Sequence, residues 1–96
     1  MSPIVSVIIP FFKVAPYIKR CATALMEQTL QDAEFLFVDD ASPDESRQIL
    51  EKVLDRYPQR NARIITHPVN KGLPAARNTG LAEAKGKYIY HCDSDD

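Results

Sequence analysis

Three carboxylates stand within the stretch Asp93-Ser94-Asp95-Asp96, where their spacing could hold a metal ion. The stretch directly follows an apolar run from Tyr88 to Cys92, which predicts that the carboxylates lie at the end of a strand. Carboxylates this close repel one another unless a cation or water screens them. Hard oxygen ligands suit Mg²⁺ or Mn²⁺, and such a metal commonly holds a substrate phosphate. The alternative is an acidic, solvated tail.

The elements that must position these carboxylates alternate between strand and helix patterns along the 96 residues. The run from Ile4 to Ile9 is apolar throughout and is stopped by Pro10, which predicts a strand buried on both faces. Ser42 as the cap, Pro43 at the first helical position and Glu45 in a capping box predict a helix start. The alternation predicts an α/β fold, a Rossmann-like three-layer α/β/α arrangement with a mainly parallel sheet. The predicted elements are strands 4–9, 34–38, 62–66 and 88–92 and helices 16–29, 42–57 and 74–84.

The composition is that of a soluble globular domain, with 45% hydrophobic and 26% charged residues and a length that allows one domain. The net charge is -1 and no Lys/Arg block is present, which argues against nucleic acid as the main partner. No apolar run approaches the ~20 residues that a membrane-spanning helix needs. Cys21 and Cys92 are predicted to be two buried thiols, with a disulfide or a metal pair as the alternatives, and free thiols make the cytoplasm the expected compartment.

Polar and conformationally special residues follow each of the four predicted strands. In a parallel α/β sheet, ligands bind at the carboxyl ends of the strands, near the point where the strand order reverses. Four stretches that are distant in sequence are therefore expected to meet along one edge of the sheet. These stretches are Pro10–Lys13, Asp39–Ser42, His67–Gly72 and Asp93–Asp96.

Four motifs, in their order and spacing, resemble those of the family 2 glycosyltransferases of the GT-A fold. The motifs are VSVIIP at 5–10, VDDAS at 38–42, NKG at 70–72 with ARNTG at 76–80, and DSDD at 93–96. The resemblance implies strand order 3-2-1-4, and it makes residues 1–96 the N-terminal, nucleotide-sugar-binding part of a truncated GT-A domain without its acceptor-binding half. It also implies a nucleotide-sugar donor, usually a UDP-sugar, a divalent metal (Mn²⁺ or Mg²⁺), and inverting transfer to a hydroxyl of a saccharide or lipid-linked acceptor.

The resemblance assigns the nucleoside to the loops after the first two strands. It implies that Pro10 and Phe12 line the nucleoside pocket and that Asp40 accepts a hydrogen bond from the base. A Phe12 ring could stack on uracil, and the alternative is that Phe11 or Phe12 is simply part of the core. Because neighbours in an extended strand point to opposite faces, one ring can be core while the other, expected to be Phe12, meets the ligand. The alternative role of Asp40 is to cap the following helix, and Asp39 could point back to stabilise the turn.

The resemblance assigns the diphosphate and metal to the acidic stretch, which matches the DxD motif of the family. It implies that Asp93 lies near the ribose and the metal and that Asp95 is the direct metal ligand. The guanidinium of Arg77, near the start of the third helix, could pair with the diphosphate or with these carboxylates. Its alternative is a solvated position on the helix.

Three positions depart from the usual family pattern. Phe12 stands where Tyr is common, Lys13 where Asn is common, and Ala41 where Gly is usual. These changes bear on the fine geometry of the first loop and leave the overall interpretation unchanged. His67 and His91 are assigned no chemical role; His67 is expected to shape its loop.

The general base that activates the acceptor is expected downstream of Asp96, so residues 1–96 alone are predicted to be inactive in sugar transfer. Strand four is expected at an uncovered sheet edge, which predicts self-association through that strand. The full-length parent could also attach to a membrane through later segments. Two other functions stay open: a non-catalytic nucleotide-binding module, and a phosphate-signalling receiver domain. In a receiver the acidic pair follows strand one, where this chain has Pro10-Phe11-Phe12.

Overall fold

The computed structural model describes residues 3–28 and 32–93. In chain order these ranges form β1 (Val5–Phe11), α1 (Ala15–Met26), β2 (Ala33–Asp39), α2 (Ser46–Asp55), β3 (Asn61–Thr66), α3 (Leu73–Glu83) and β4 (Tyr88–His91). The strands lie in the order β3-β2-β1-β4, and all three pairings are parallel. The predicted α/β fold and the order 3-2-1-4 are therefore confirmed. None of the helices in these ranges is long and apolar enough to cross a membrane.

One face of the sheet is covered by α1 and α2. Odd-numbered residues of β1 and β2 point to this face, because side chains alternate along a strand. They pack with the inner sides of both helices into one buried core, which fixes the two helices on the sheet. Its members include Val7, Ile9, Phe11, Ile18, Leu25, Phe35, Phe37, Leu50 and Val53.

The other face of the sheet is covered by α3, which approaches β1 unusually closely. A β carbon added at Gly80 would lie 2.5 Å from Cγ2 of Ile8, so a larger residue would push the helix outward. Ala76, one turn earlier on α3, is fully buried on the same side. Because α3 starts just after β3 ends, this packing holds its first turn near the carboxyl edge of the sheet.

β1 runs through Pro10 to Phe11, so the prediction that Pro10 stops this strand is wrong. The backbone N–H of Asp40 donates to the carbonyl of Phe11, and the N–H of Cys92 donates to the carbonyl of Ile8. The backbone groups of odd-numbered residues of β1 therefore hydrogen-bond to β2, and those of even-numbered residues point toward β4. The ladder with β4 ends opposite Ile8, so the N–H that Pro10 lacks falls beyond the ladder.

α2 begins at Ser46, four residues after Ser42, so the prediction that Ser42 caps this helix is wrong. Oδ1 of Asp44 accepts hydrogen bonds from the N–H and the hydroxyl of Ser46, at 3.1 and 2.6 Å. Oδ2 of Asp44 accepts from the N–H of Ala15 at 3.4 Å, and Oγ of Ser42 accepts from the N–H of Lys13 at 3.2 Å. Both side chains thus hold the loop before α2 against the loop after β1.

A network of buried and partly buried hydrogen bonds fixes the turn between α3 and β4. Oε2 of Glu34 accepts from the hydroxyl of Ser6 and from the N–H of Lys85, both at 2.6 Å. The hydroxyl oxygen of Ser6 accepts from the N–H of Gly86 at 2.8 Å. The start of β4 is therefore anchored at the amino end of the sheet, opposite the edge where the polar loops lie.

Candidate functional site

The carboxylate of Asp40 joins the loop after β2 to the loop after β3. Its Oδ1 lies 2.9 Å from Nδ1 of His67 and accepts from the N–H of Lys71 at 2.8 Å. Its Oδ2 accepts from the N–H of Gly72 at 2.8 Å, where the backbone adopts a φ of 93° that suits glycine. The side-chain amide of Asn70 donates to the carbonyl of Asp40 at 3.2 Å. The two loops therefore form one hydrogen-bonded unit.

These hydrogen bonds decide the charge of Asp40. Burial alone raises the pKa of a carboxyl group. The hydrogen bonds from His67, Lys71 and Gly72, with the electrostatic attraction of His67, outweigh burial and lower the pKa of Asp40 below its usual value. Asp40 is therefore an anion at neutral pH.

Asp40 is only 1% exposed, so little of its carboxylate is open to the contact with a nucleobase that was predicted for it. A carboxylate offers about four lone-pair positions, and the donors of His67, Lys71 and Gly72 use three of them. One position on Oδ2 remains for a ligand. The base contact stays a prediction, and the organisation of the loops is a second role that the sequence did not indicate.

His67 is the main feature of the site that sequence reasoning missed. It is 5% exposed, and its Nε2 lies 2.7 Å from Oγ1 of Thr79 on α3. The imidazole thus links Asp40 after β2 to α3, in addition to shaping its own loop. The one available signal was a polar residue directly after an apolar strand. Its partner Asp40 lies 27 positions away, so no local pattern could identify the pair.

Phe11, the last residue of β1, and Phe12, the first residue after it, separate as the alternation predicts. Phe11 is fully buried in the core, whereas Phe12 is half-buried at the carboxyl edge. The ammonium of Lys13 lies 5.3 Å from the centroid of the Phe12 ring, a cation–π distance. Pro10 is buried within β1. The contacts of Pro10 and Phe12 with a nucleoside stay predictions.

Two of the departures from the family pattern fall at strained backbone positions. Lys13 has a φ of 55° and Ala41 a φ of 61°, both in the left-handed region. Glycine and asparagine adopt this region most readily, which gives a physical reason for their use there in the family. Oδ1 of Asp39 accepts from the N–H of Ser42 at 2.8 Å, so the expectation that Asp39 stabilises this turn is confirmed.

Arg77 and Asp93 bring the first half of α3 close to the segment that follows β4. Nη2 of Arg77 lies 3.7 Å from Oδ1 of Asp93, and the two side chains are 39% and 61% exposed. The structure therefore shows the contact that was expected between Arg77 and the acidic stretch. Both groups remain open to solvent, so either can turn toward a ligand.

Asp93 is the one member of the DSDD stretch within residues 32–93, and the predicted metal ligand Asp95 lies outside the described residues. Within the described ranges, no cluster of three or more potential ligand side chains is assembled. The exposed carboxylate of Asp93 is a hard oxygen donor beside the cation of Arg77. It suits Mg²⁺ or Mn²⁺ as one ligand of a set that the DSDD stretch would complete. Neither metal role is tested by this geometry.

Comparisons with known proteins agree on one family. The family model described as Glycosyl transferase family 2 matches residues 6–96. The chain is 45% identical over 97 residues to the glycosyltransferase EpsJ of Bacillus subtilis, covering 100% of this chain and 27% of that protein. It is 37% identical over 94 residues to chondroitin synthase of Pasteurella multocida, covering 98% of this chain and 9% of that one. The chain thus spans about a quarter or less of these two relatives.

Two solved structures share the fold over nearly the whole chain. The mannosyltransferase PcManGT from Pyrobaculum calidifontis, in complex with GDP-Man and Mn²⁺, superposes with a TM-score of 0.91 at 27% identity. That match covers 99% of this chain and 28% of PcManGT. S. aureus TarS 1-349 in complex with UDP-GlcNAc superposes with a TM-score of 0.85 at 32% identity, covering 99% of this chain and 27% of that TarS chain.

The strand order and the meeting of the loops at the carboxyl edge agree with what the comparisons find. The chain belongs to glycosyl transferase family 2.

Proposed function

We propose that this chain is the nucleotide-sugar-binding part of a metal-dependent, inverting glycosyltransferase that uses a UDP-sugar. The observation that carries the proposal is the junction of the loops at the carboxyl edge. Ser42 accepts from the backbone of Lys13, Asp40 binds the loop after β3, and Arg77 lies beside Asp93. In α/β sheets this edge is where phosphorylated ligands bind. The TarS structure with UDP-GlcNAc supports the choice of uracil.

The nucleoside would lie against the loop after β1. Phe12 is half-buried and presents a ring at the carboxyl edge, where it can stack on uracil. Pro10 would form the floor of this pocket. The remaining lone-pair position of Asp40 would accept a hydrogen bond from the base, while its other bonds hold the loops in place. In the proposed mechanism, residues 1–96 bind and orient the nucleotide-sugar donor.

The diphosphate would lie between Arg77 and the acidic stretch. A divalent cation held by Asp93 and Asp95 would neutralise charge on the leaving diphosphate. The guanidinium of Arg77, 3.7 Å from Asp93, would pair with phosphate oxygens and orient the donor. The PcManGT complex with Mn²⁺ supports a divalent metal.

The transfer itself would need residues beyond Asp96. In a single displacement the acceptor hydroxyl attacks the anomeric carbon while a general base removes its proton. We place that base, with the site for a saccharide or lipid-linked acceptor, in the longer protein. Residues 1–96 alone would bind the donor without transferring sugar.

Two further expectations complete the proposal. The thiols of Cys21 and Cys92 suit a reducing compartment, which supports the cytoplasm as the location.

β4 is an outer strand that exposes Tyr88, Ile89 and Tyr90, which supports self-association of the isolated chain through this strand. Light scattering over a range of protein concentrations tests this association. A chain that stays monomeric at the highest concentration contradicts it.

Calorimetry with the 96-residue chain tests donor binding directly. UDP titrated in the presence of Mn²⁺ should bind, GDP should bind more weakly, and chelation of Mn²⁺ should weaken both. Phe12→Ala should lower the UDP affinity about 5- to 150-fold, the equivalent of about 1–3 kcal/mol for one stacked base. Phe12→Tyr keeps the ring and is the matched control, and its affinity for UDP should equal or exceed that of the unsubstituted 96-residue chain. Failure to bind UDP, or equal affinity for the Phe12→Ala chain, would refute the nucleoside site.

A further inference from the structure

Cys21 and Cys92 meet beside the acidic stretch although 71 positions separate them in sequence. Sγ of Cys21 lies 4.0 Å from the carbonyl oxygen of Asp93, and Sγ of Cys92 lies 3.7 Å from the same oxygen. No more than about 8 Å can therefore separate the two sulfur atoms. The S–S bond of a disulfide is about 2.05 Å long, so closure needs rotation of the side chains and movement of the backbone.

Two further observations place both thiols in one accessible pocket. Cys92 packs against the buried core cluster to which Cys21 belongs. Both residues also line the same open cavity of about 350 Å³, between α1 and β4. Cys21 is buried and Cys92 only half-buried, so the prediction of two buried thiols is wrong for Cys92. The reason is its position just after β4, the outer strand of the sheet.

We propose that Cys21 and Cys92 form a dithiol site that a small oxidised disulfide, such as oxidised glutathione, converts into an intramolecular disulfide. The thiolate of Cys92, the more exposed of the two, attacks one sulfur of the oxidant and releases one reduced glutathione. The thiolate of Cys21 then attacks the protein-side sulfur of this mixed disulfide and expels the second glutathione. The chain loses two protons and two electrons, and the oxidant takes up both.

The disulfide would act on the neighbouring carboxylate through the main chain. Asp93 follows Cys92 directly, and its carbonyl oxygen is the group that both sulfurs contact. Drawing Cys92 toward α1 moves the backbone of Asp93 and separates its side chain from Arg77. Oxidation is therefore expected to weaken UDP binding with Mn²⁺, a consequence that rests on the proposed function. Formation of the disulfide does not rest on it.

The experiment treats the full chain with oxidised glutathione in the presence of a chelator, first folded and then unfolded in urea. The folded chain should lose two titratable thiols and a mass of two hydrogens, and a reductant should restore both. Its ratio of internal disulfide to glutathione adduct should exceed that of the unfolded chain by roughly tenfold, because the fold raises the effective concentration of one thiol at the other. The matched variant Cys21→Ser should end as a glutathione adduct on Cys92, whereas in Cys92→Ser the buried Cys21 should react much more slowly.

A folded chain that ends with glutathione on both cysteines, or as disulfide-linked dimers, would overturn the dithiol site. So would a ratio no higher in the folded chain than in urea. UDP titrations of the reduced and oxidised chain then test the effect on Asp93: unchanged affinity would refute that coupling. Absence of UDP binding by the reduced chain would count against the proposed function alone, because thiol counts and masses decide the dithiol site.

Discussion

Replacement of Asp40 by alanine should destabilise the fold far more than an ordinary change in a loop. The substitution removes the acceptor of three donors: Nδ1 of His67 and the N–H groups of Lys71 and Gly72. A buried donor without a partner costs about 1–3 kcal/mol. Since Lys71 is exposed, water can reach part of this segment, and we expect a loss of about 3–5 kcal/mol in the free energy of unfolding.

Asp40→Asn separates the charge of this side chain from its shape. The native pKa is lowered, so the ionised carboxylate stabilises the fold above the unfolded value of about 3.9. This contribution is lost as the pH falls below that value and through the native pKa. The side chain of Asn at position 40 cannot titrate, so the stability of this variant should fall less steeply below pH ~4 than that of the unsubstituted chain. Asp44, whose pKa is also lowered, contributes equally to both chains.

Urea unfolding followed by circular dichroism, repeated from pH 7 to pH 3, measures both effects. Asp55→Asn, on the exposed side of α2, is the matched control and should change stability by less than about 0.5 kcal/mol. A loss below about 1 kcal/mol for Asp40→Ala would refute the reasoning, since the three donors would then have found other partners. An unchanged pH dependence for Asp40→Asn would show that the charge of Asp40 contributes nothing to stability.

Three further substitutions test other features by urea unfolding and calorimetry. Ala41→Gly should raise stability by about 0.5–1 kcal/mol, because glycine relieves the φ of 61°; a loss of stability would contradict this. Gly80→Ala should lower stability by about 1–3 kcal/mol, since its β carbon would meet Cγ2 of Ile8; a gain from helix propensity alone would contradict the close packing. Arg77→Gln should change stability by less than about 1 kcal/mol, because its pair with Asp93 is exposed, yet weaken UDP binding; equal affinity would remove Arg77 from the site.

The arrangement of the elements could be predicted because its causes are local. The apolar run of β1 and the helical spacing of Ile18, Leu25 and their neighbours are properties of short windows, and the motifs then implied the strand order. The place of Pro10 could not be predicted in this way. Whether a proline is tolerated in a strand depends on where the neighbouring strand ends, which no window of β1 contains.

The same distinction between local and long-range causes applies to the residues of the site. Asp39 stabilises its turn and Phe11 joins the core as predicted, because alternation and turn chemistry act within a few residues. The start of α2 differs from the prediction because Ser42 and Asp44 bind the loop after β1, about 29 positions away, and the helix begins only at Ser46. The roles of Asp40 and His67 depend on contacts between loops that only the folded sheet brings together.

The two ends of β4 are held by interactions that respond differently to ionic strength. Its first residues follow the buried and partly buried hydrogen bonds of Glu34 and Ser6, which dissolved ions screen little. Its last residues precede the ion pair between Arg77 and Asp93, which lies in solvent and is screened by salt. Concentrated salt should therefore loosen the acidic end of this strand while the opposite end keeps its geometry.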